Sequence, residues 1–320
     1  MADVVASPVP KPWMPTVHVA TLVIAISAIA LINIGGAASG TRLVEGAIVV
    51  KLIPIGLFLI AGASALHSSN FVESEHLSSA GIGRALILAV GSLTGMEVAL
   101  NMSGEVTHPA HAVPRALAMS LIPVTFLYIT IQIIGQGVLG PTLAHSRTPL
   151  ADAMAAIHPA LRWLILAGSA VSMFGCVGSD LMSTPRVLFA LARDGMMLRA
   201  LGQVNTRTHA PHIAIVSYAG LVLLLAVTGG FAELYVLSTL SGAVIYILGS
   251  LAAWQLARRD VALTGSPLKF KYLNTATVIS TVSMLGMIAL GSRAEILGVV
   301  GLIAASALVY IVLSRLRKAV

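Results

Sequence analysis

The sequence predicts an all-α polytopic membrane protein with about nine transmembrane helices. Three observations predict it. Of 320 residues, 57% are hydrophobic and only 10% charged, where a soluble domain keeps roughly a quarter of its residues charged. The apolar residues gather into runs of bilayer length, roughly 17 to 25 residues each. The breaks between the runs carry turn residues and most of the basic side chains. Mean hydropathy is +0.95, so lipid is the solvent for most of the chain.

The segment Met1 to Met14 is polar and Pro-rich, with Lys11 its only basic residue. It lacks the charged start and cleavage site of a removable signal peptide, so the first apolar run is expected to stay in the membrane. The runs fall at about Pro15–Ala37, Leu43–Leu66, Gly83–Gly104, Pro114–Gly140, Leu161–Thr184, Pro211–Gly229, Glu233–Leu256, Tyr272–Gly291 and Glu295–Ser314. Gly35-Gly36, Ser68-Ser69-Asn70, His158-Pro159 and Gly265-Ser266-Pro267 mark breaks. No intervening stretch is long enough for a separate soluble domain, so residues 1–320 read as one membrane domain. Pro54 and Pro123 lie inside runs, which membrane helices tolerate. Pro54 leaves the Val50 carbonyl without its helical partner.

The net charge of +7 does not point to nucleic acid, because the basic residues sit in short loops as orientation signals. With the N-terminus outside, thirteen of them, from Arg42 to Lys318, fall on the inner side. Only Lys11, Arg84, Arg147, Arg162 and Arg293 fall outside. The C-terminus is then cytoplasmic, the expected location being the plasma membrane (a bacterial inner membrane). The one cysteine, Cys176, lies in an apolar run and reads as a small buried residue rather than a reactive thiol.

Three ionisable residues fall within runs: Lys51, Glu97 and Asp180. A charge at a helix centre costs at least about 2.5 kcal/mol even on the lenient insertion scale, so such groups face protein or water. Lys51 lies about nine residues into its run, roughly 13 Å deep at helical rise. It reads as a fixed cation or a proton-exchanging amine, the alternative being a lysine snorkelling to the inner face. Glu97 closes Gly91-Ser92-Leu93-Thr94-Gly95-Met96-Glu97, a stretch that loosens a helix and offers backbone groups to a polar or zwitterionic ligand. The alternative is a Gly-x-x-x-Gly packing face. Asp180 is nearer the inner end of its run and is left open between a hydrated carboxylate and a functional one.

Two histidine pairs, His108 with His111 and His209 with His212, lack the further ligands of a zinc site. No H-E-x-x-H, P-loop or G-x-S-x-G occurs, so the common protease, ATP-driven and hydrolase readings lose their simplest support. No enzyme activity and no cofactor are expected.

Thr94-Gly95-Met96-Glu97, Ser103-Gly104-Glu105-Val106, His108-Pro109 and Val113-Pro114-Arg115-Ala116-Leu117 together resemble the sixth helix, and the loop after it, of the amino acid–polyamine–organocation (APC) permeases. Thr184-Pro185-Arg186-Val187-Leu188-Phe189-Ala190-Leu191-Ala192-Arg193-Asp194-Gly195 looks like the end of their eighth helix. Asn205-Thr206-Arg207-Thr208-His209-Ala210-Pro211 looks like the loop into the ninth. Asn33 and Val50-Lys51-Leu52-Ile53-Pro54 look like the fourth and fifth.

The resemblance implies a LeuT-type fold. Residues 15–66 would match helices 4 and 5, residues 83–256 helices 6 to 10, and residues 272–314 helices 11 and 12. It therefore implies an N-terminally truncated pattern, without the first-helix break that holds the substrate's carboxylate and amine. Gly91, Ser92 and Leu93 stand where family members often have an aromatic gate. The implied function is secondary active transport of amino acids or related amines by alternating access, coupled to protons or exchange rather than sodium. The alternative is a transport-incompetent remnant or a half that needs a partner chain. Lys51 would match the fifth-helix lysine that replaces sodium, with Ser179 and Ser183 as nearby hydroxyls. Gly91, Ser92, Thr94, Gly95 and Glu97 would bind or gate substrate. The implied partners are a small-molecule substrate and membrane lipid.

Overall fold

A computed structural model describes Pro10 and residues 12–71, 78–95, 108–146, 148–259 and 270–318. Among the described residues the secondary structure is helical throughout. The helices are α1 (Met14–Ile34), α2 (Ala37–Ser64), α3 (Ser79–Ser92), α4 (Pro109–Leu139), α5 (Pro149–Ile157), α6 (Pro159–Arg193), α7 (His212–Thr228), α8 (Phe231–Arg258), α9 (Leu273–Ala289) and α10 (Arg293–Lys318). Short 3₁₀ turns lie at Ser68–Asn70, Gly140–His145 and Arg199–Gly202.

Each of the nine apolar runs has a helix. Six helices are long and apolar enough to cross a bilayer, while Ser79–Ser92, His212–Thr228 and Leu273–Ala289 are shorter apolar helices. Large apolar side chains point away from the protein along these helices: Ile60 is 77% exposed, Leu297 69% and Ile24 68%. Water does not tolerate such faces over this area. The chain is a multi-pass membrane protein.

Two compact units divide the chain. The first comprises Met1–Ser74 and Ile122–Thr228. Its centre is α6, which packs against α1, α2, α5 and α7. The α2–α6 crossing is antiparallel and close because α6 supplies glycine where α2 approaches. A Cβ on Gly168 would lie 2.3 Å from Pro54 Cγ, and one on Gly175 would lie 2.4 Å from Ala47 Cβ. Small residues at such crossings let helix backbones approach where lipid provides no hydrophobic drive. Phe58, Ile134, Met154, Ile165 and Leu166 form one apolar cluster beside this crossing. Ile26, Ile29, Ala30, Leu181, Ile215 and Ala219 form another, where α1 and α7 cover α6.

The second unit comprises Glu75–Leu121 and Gly229–Val320. There α8 packs against α3, α9 and α10, around Ile87, Val236, Leu240, Ala243, Met287 and Val299. Ser292 and Glu295 cap α10 reciprocally: Ser292 N–H donates to Glu295 Oε2 at 2.8 Å and Glu295 N–H to Ser292 Oγ at 3.3 Å. The Glu295 carboxylate also pairs with Arg84 of α3.

Two helix ends and one added helix differ from the sequence reading. The run expected at Leu161–Thr184 continues to Arg193 through Pro185, whose ring is buried. Proline removes one backbone donor, and the packed interior of the unit carries the helix past it. In the run expected at Gly83–Gly104 the first helix ends at Ser92, and the part of the run from residue 96 on lies outside the described residues. The loop between α4 and α6 holds an unexpected helix, α5, whose Ala151, Ala153 and Met154 are buried. Cys176, read as a small buried residue, is instead exposed on α6, where a small hydrophobe of this kind can face lipid as well as protein.

Candidate functional site

The mid-helix position of Lys51 follows from the length of α2, which places it about 20 Å from either end at 1.5 Å per residue. One turn on, Pro54 is fully inside the helix. The Pro54–Gly168 contact brings α6 against this turn, and α4 and α5 close the sides. The result is a cavity of about 340 Å³ lined by Lys51, Pro54, Ile55, Ile131, Leu150, Ile165, Gly168, Ser169, Ser172 and Met173. Its polar side chains are one amine and two hydroxyls; the walls are otherwise apolar. The ion pairs Arg84–Glu295 and Arg162–Asp152 leave Lys51 out. An amine so placed can act as a fixed cation, a hydrogen-bond donor or a proton carrier.

The hydroxyls expected beside Lys51 are Ser179 and Ser183. The structure instead lines the cavity with Ser169 and Ser172. Ser179 and Ser183 lie further along the same helix, about 10 and 16 Å beyond Ser172 by helical rise. Ser179 is half-buried. Ser183 is fully buried and donates to the Asp180 carbonyl at 3.4 Å. Seven and eleven residues return to nearly the same helix face, so Ser172, Ser179 and Ser183 share a stripe. Helical spacing alone therefore does not tell which serine on that stripe stands opposite Lys51. The signal that does is Gly168, the small residue admitting Pro54.

The second expected group lies at the end of α3. Ser78 caps the start of this helix, its Oγ accepting from Gly81 N–H at 3.0 Å. The helix ends at Ser92, and Gly95 follows with φ +114°, a backbone conformation that favours glycine. Ser92 Oγ donates to the Ala89 carbonyl at 2.6 Å and Thr94 Oγ1 to the Gly91 carbonyl at 2.7 Å. Both hydroxyls thus turn back onto the last helical carbonyls, and Ser92, Thr94 and Gly95 are exposed. Gly91 is buried against α8: a Cβ there would meet Thr239 Oγ1 at 2.4 Å and the Tyr235 ring at 2.8 Å. A Cβ on Gly95 would meet nothing within 4 Å. The two glycines therefore have separate structural roles, one for close packing and one for the turn. Glu97 lies outside the described residues.

Asp180 belongs to a hydrogen-bonded group at the α6–α7 contact. Tyr218 OH donates to its Oδ2 at 2.6 Å and Thr184 Oγ1 to its Oδ1 at 2.8 Å. The sequence marks Asp180 as an intramembrane acid but holds no sign of Tyr218, 38 residues away.

Residues 4–314 match the family model described as "Amino acid permease". The chain belongs to this family. Among curated proteins it is 28% identical to the serine/threonine exchanger SteT of Bacillus subtilis, over 74% of this chain and 56% of that one. It is 27% identical to the glutamate/serine transporter AimA of Bacillus subtilis, over 71% of this chain and 44% of that one. With cationic amino acid transporter 4 of Mus musculus it shares 30% identity over 55% of this chain and 29% of the other. The chain spans about half the length of the curated relatives it matches. Lys51 and the Gly91–Gly95 turn both lie within the region that matches the family model.

Proposed function

We propose that this amino acid permease family member carries out secondary active transport of amino acids or related amines by alternating access. The observation that carries the reading is Lys51: an amine at the middle of a membrane helix, lining a cavity with two hydroxyls. An ionisable group at that depth is costly unless it serves a site. Family membership and the names of the relatives support amino acids as the substrate class, and serine is common to the two Bacillus subtilis names. Coupling is to protons or to exchange, because the Lys51 amine would compete electrostatically with a sodium ion at the same place. The Gly91–Gly95 turn, with Glu97 after it, binds or gates substrate through backbone groups freed where the helix ends. The chain lies in the plasma membrane, with the Met14 end of α1 outside and the end of α10 in the cytoplasm.

The test is uptake of a panel of labelled amino acids by the purified chain in liposomes. The separate driving forces are an inward proton gradient, an inward sodium gradient and internal unlabelled amino acid. The proposal predicts uptake that internal amino acid or the proton gradient stimulates at least several-fold and that sodium leaves unchanged. Uptake driven by sodium alone, or none for any amino acid from a correctly folded chain, would contradict it.

A further inference from the structure

The Asp180 carboxylate is an acid inside a membrane helix whose described hydrogen bonds come from two hydroxyls. Tyr218 OH reaches one oxygen at 2.6 Å and Thr184 Oγ1 the other at 2.8 Å. The ionisable residues on the elements around it are few. On α1 there is only His18, fifteen positions before Asn33; on α7, His212 besides Tyr218. Arg207 and His209 stand in the loop before α7, Arg162, Cys176, Arg186 and Arg193 on α6 itself, Arg199 in the 3₁₀ turn packed against it, and Arg42, Glu45 and Lys51 on α2. The ion pairs seen among the described residues, Arg84–Glu295 and Arg162–Asp152, do not involve Asp180.

A charged carboxylate accepts hydrogen bonds and donates none, and both hydroxyls serve that form. We propose that Asp180, held by Tyr218 and Thr184, is a membrane-embedded proton-binding site that couples protonation to the α6–α7 contact. A proton arriving at Oδ2 makes that oxygen a donor. The Tyr218 oxygen then becomes the acceptor, and the tyrosine hydrogen turns to another acceptor. The bond joining α6 to α7 is reversed, and no other atom changes hands.

The position suits such a switch. Pro185 follows one residue after Thr184 and lacks the N–H that would bond the Leu181 carbonyl. The Ser183 hydroxyl, facing the Asp180 carbonyl at 3.4 Å, adds a side-chain bond in the same turn. The protonated group therefore lies where α6 is short of one backbone hydrogen bond and can bend at low cost. This site is distinct from Lys51, about 12 Å further along α6 than Ser172 by helical rise. It adds a second acid–base group to the proton-coupled reading above, on which its role in transport rests.

The deciding experiment is a pH-difference infrared spectrum of the purified chain in lipid. Its expected result is a protonated-carboxyl C=O band that appears on acidification, disappears in Asp180→Asn, and moves in frequency and midpoint in Tyr218→Phe. An acid difference band unchanged in Asp180→Asn would overturn the proposal, and so would a band that Tyr218→Phe leaves unmoved. Tyr218→Phe removes one hydroxyl and keeps the ring, so the test survives if Asp180→Asn fails to fold. Neither spectrum depends on transport, so failure of the transport reading is seen separately, as absence of uptake by the wild-type chain. Where uptake is present, Asp180→Asn is expected to flatten its pH profile at least several-fold, and an unaltered profile would contradict a role in coupling.

Discussion

The Pro54 ring occupies the space that a side chain at residue 168 would need, with Pro54 Cγ 2.3 Å from where a Gly168 Cβ would stand. This contact sets the α2–α6 spacing that holds the Lys51 cavity open on one side. Gly168→Ala is expected to destabilise the protein by about 1–3 kcal/mol, the usual cost of overpacking. A Cβ on Gly56, on the same α2, would meet nothing within 4 Å. Gly56→Ala should therefore gain about 0.5–1 kcal/mol from helix propensity. Thermal unfolding of both variants in the same detergent checks the contrast.

Gly91 and Gly95 should respond differently to rescue. Gly91→Ala clashes with Thr239 and Tyr235, so it should lose about 1–3 kcal/mol. Truncating both neighbours, by Thr239→Ala with Tyr235→Ala, should make the added methyl tolerable. Gly95→Ala has open space but a φ of +114°, so the same truncations should not help it. Melting temperatures of the matched sets, compared as a double-mutant cycle, measure the difference.

Asp152 organises the start of α5. It accepts from Ser146 Oγ at 2.5 Å and from Thr148 Oγ1 at 3.2 Å, and pairs with Arg162 at 3.1 Å. The Arg162 side chain is 45% exposed, so Arg162→Ala should change stability by less than about 1 kcal/mol. Asp152→Ala leaves two hydroxyls unserved and should cost more, about 1–2 kcal/mol. Equal losses in the two variants would place the stabilisation in the ion pair instead.

The reciprocal cap at Ser292 and Glu295 predicts a loss of about 1 kcal/mol in Ser292→Ala. Hydrogen exchange should then speed up at the first turn of α10 while the middle of α8 stays protected. Uniform exchange across α8 and α10 would show that the cap does not act locally.

Most of the helical layout was legible in the sequence because lipid imposes a coarse rule of about twenty apolar residues per crossing. The runs beginning at Pro15, Leu43 and Glu233 need nothing more, and each is a helix in the structure. The rule misses α5, because nine residues are too few to span and its burial depends on α6. Pro149 at its start and Asp152 in its first turn were the available signals. The rule also ends α6 early, at Thr184, because the apolar run stops there while the helix continues through the buried Pro185 to Arg193.

For the candidate site, the depth of Lys51 in its apolar run was legible in the sequence, with a snorkelling lysine as the alternative reading. Its hydroxyl neighbours were not. Ser172, Ser179 and Ser183 lie on one stripe of α6, and the Pro54–Gly168 contact sets their register against α2. A pairing between a proline on one helix and a glycine on another has no signature in either helix by itself. The Asp180–Tyr218 bond was hidden for the same reason, as a contact between helices that periodicity does not register.

The most direct test of the account is counterflow of labelled amino acid into liposomes holding the purified chain, comparing wild type with Lys51→Ala. The account predicts that Lys51→Ala lowers counterflow or its proton stimulation at least tenfold while the variant still folds and inserts, judged by its melting profile in detergent. Counterflow and proton stimulation equal to wild type in a folded Lys51→Ala chain would contradict it.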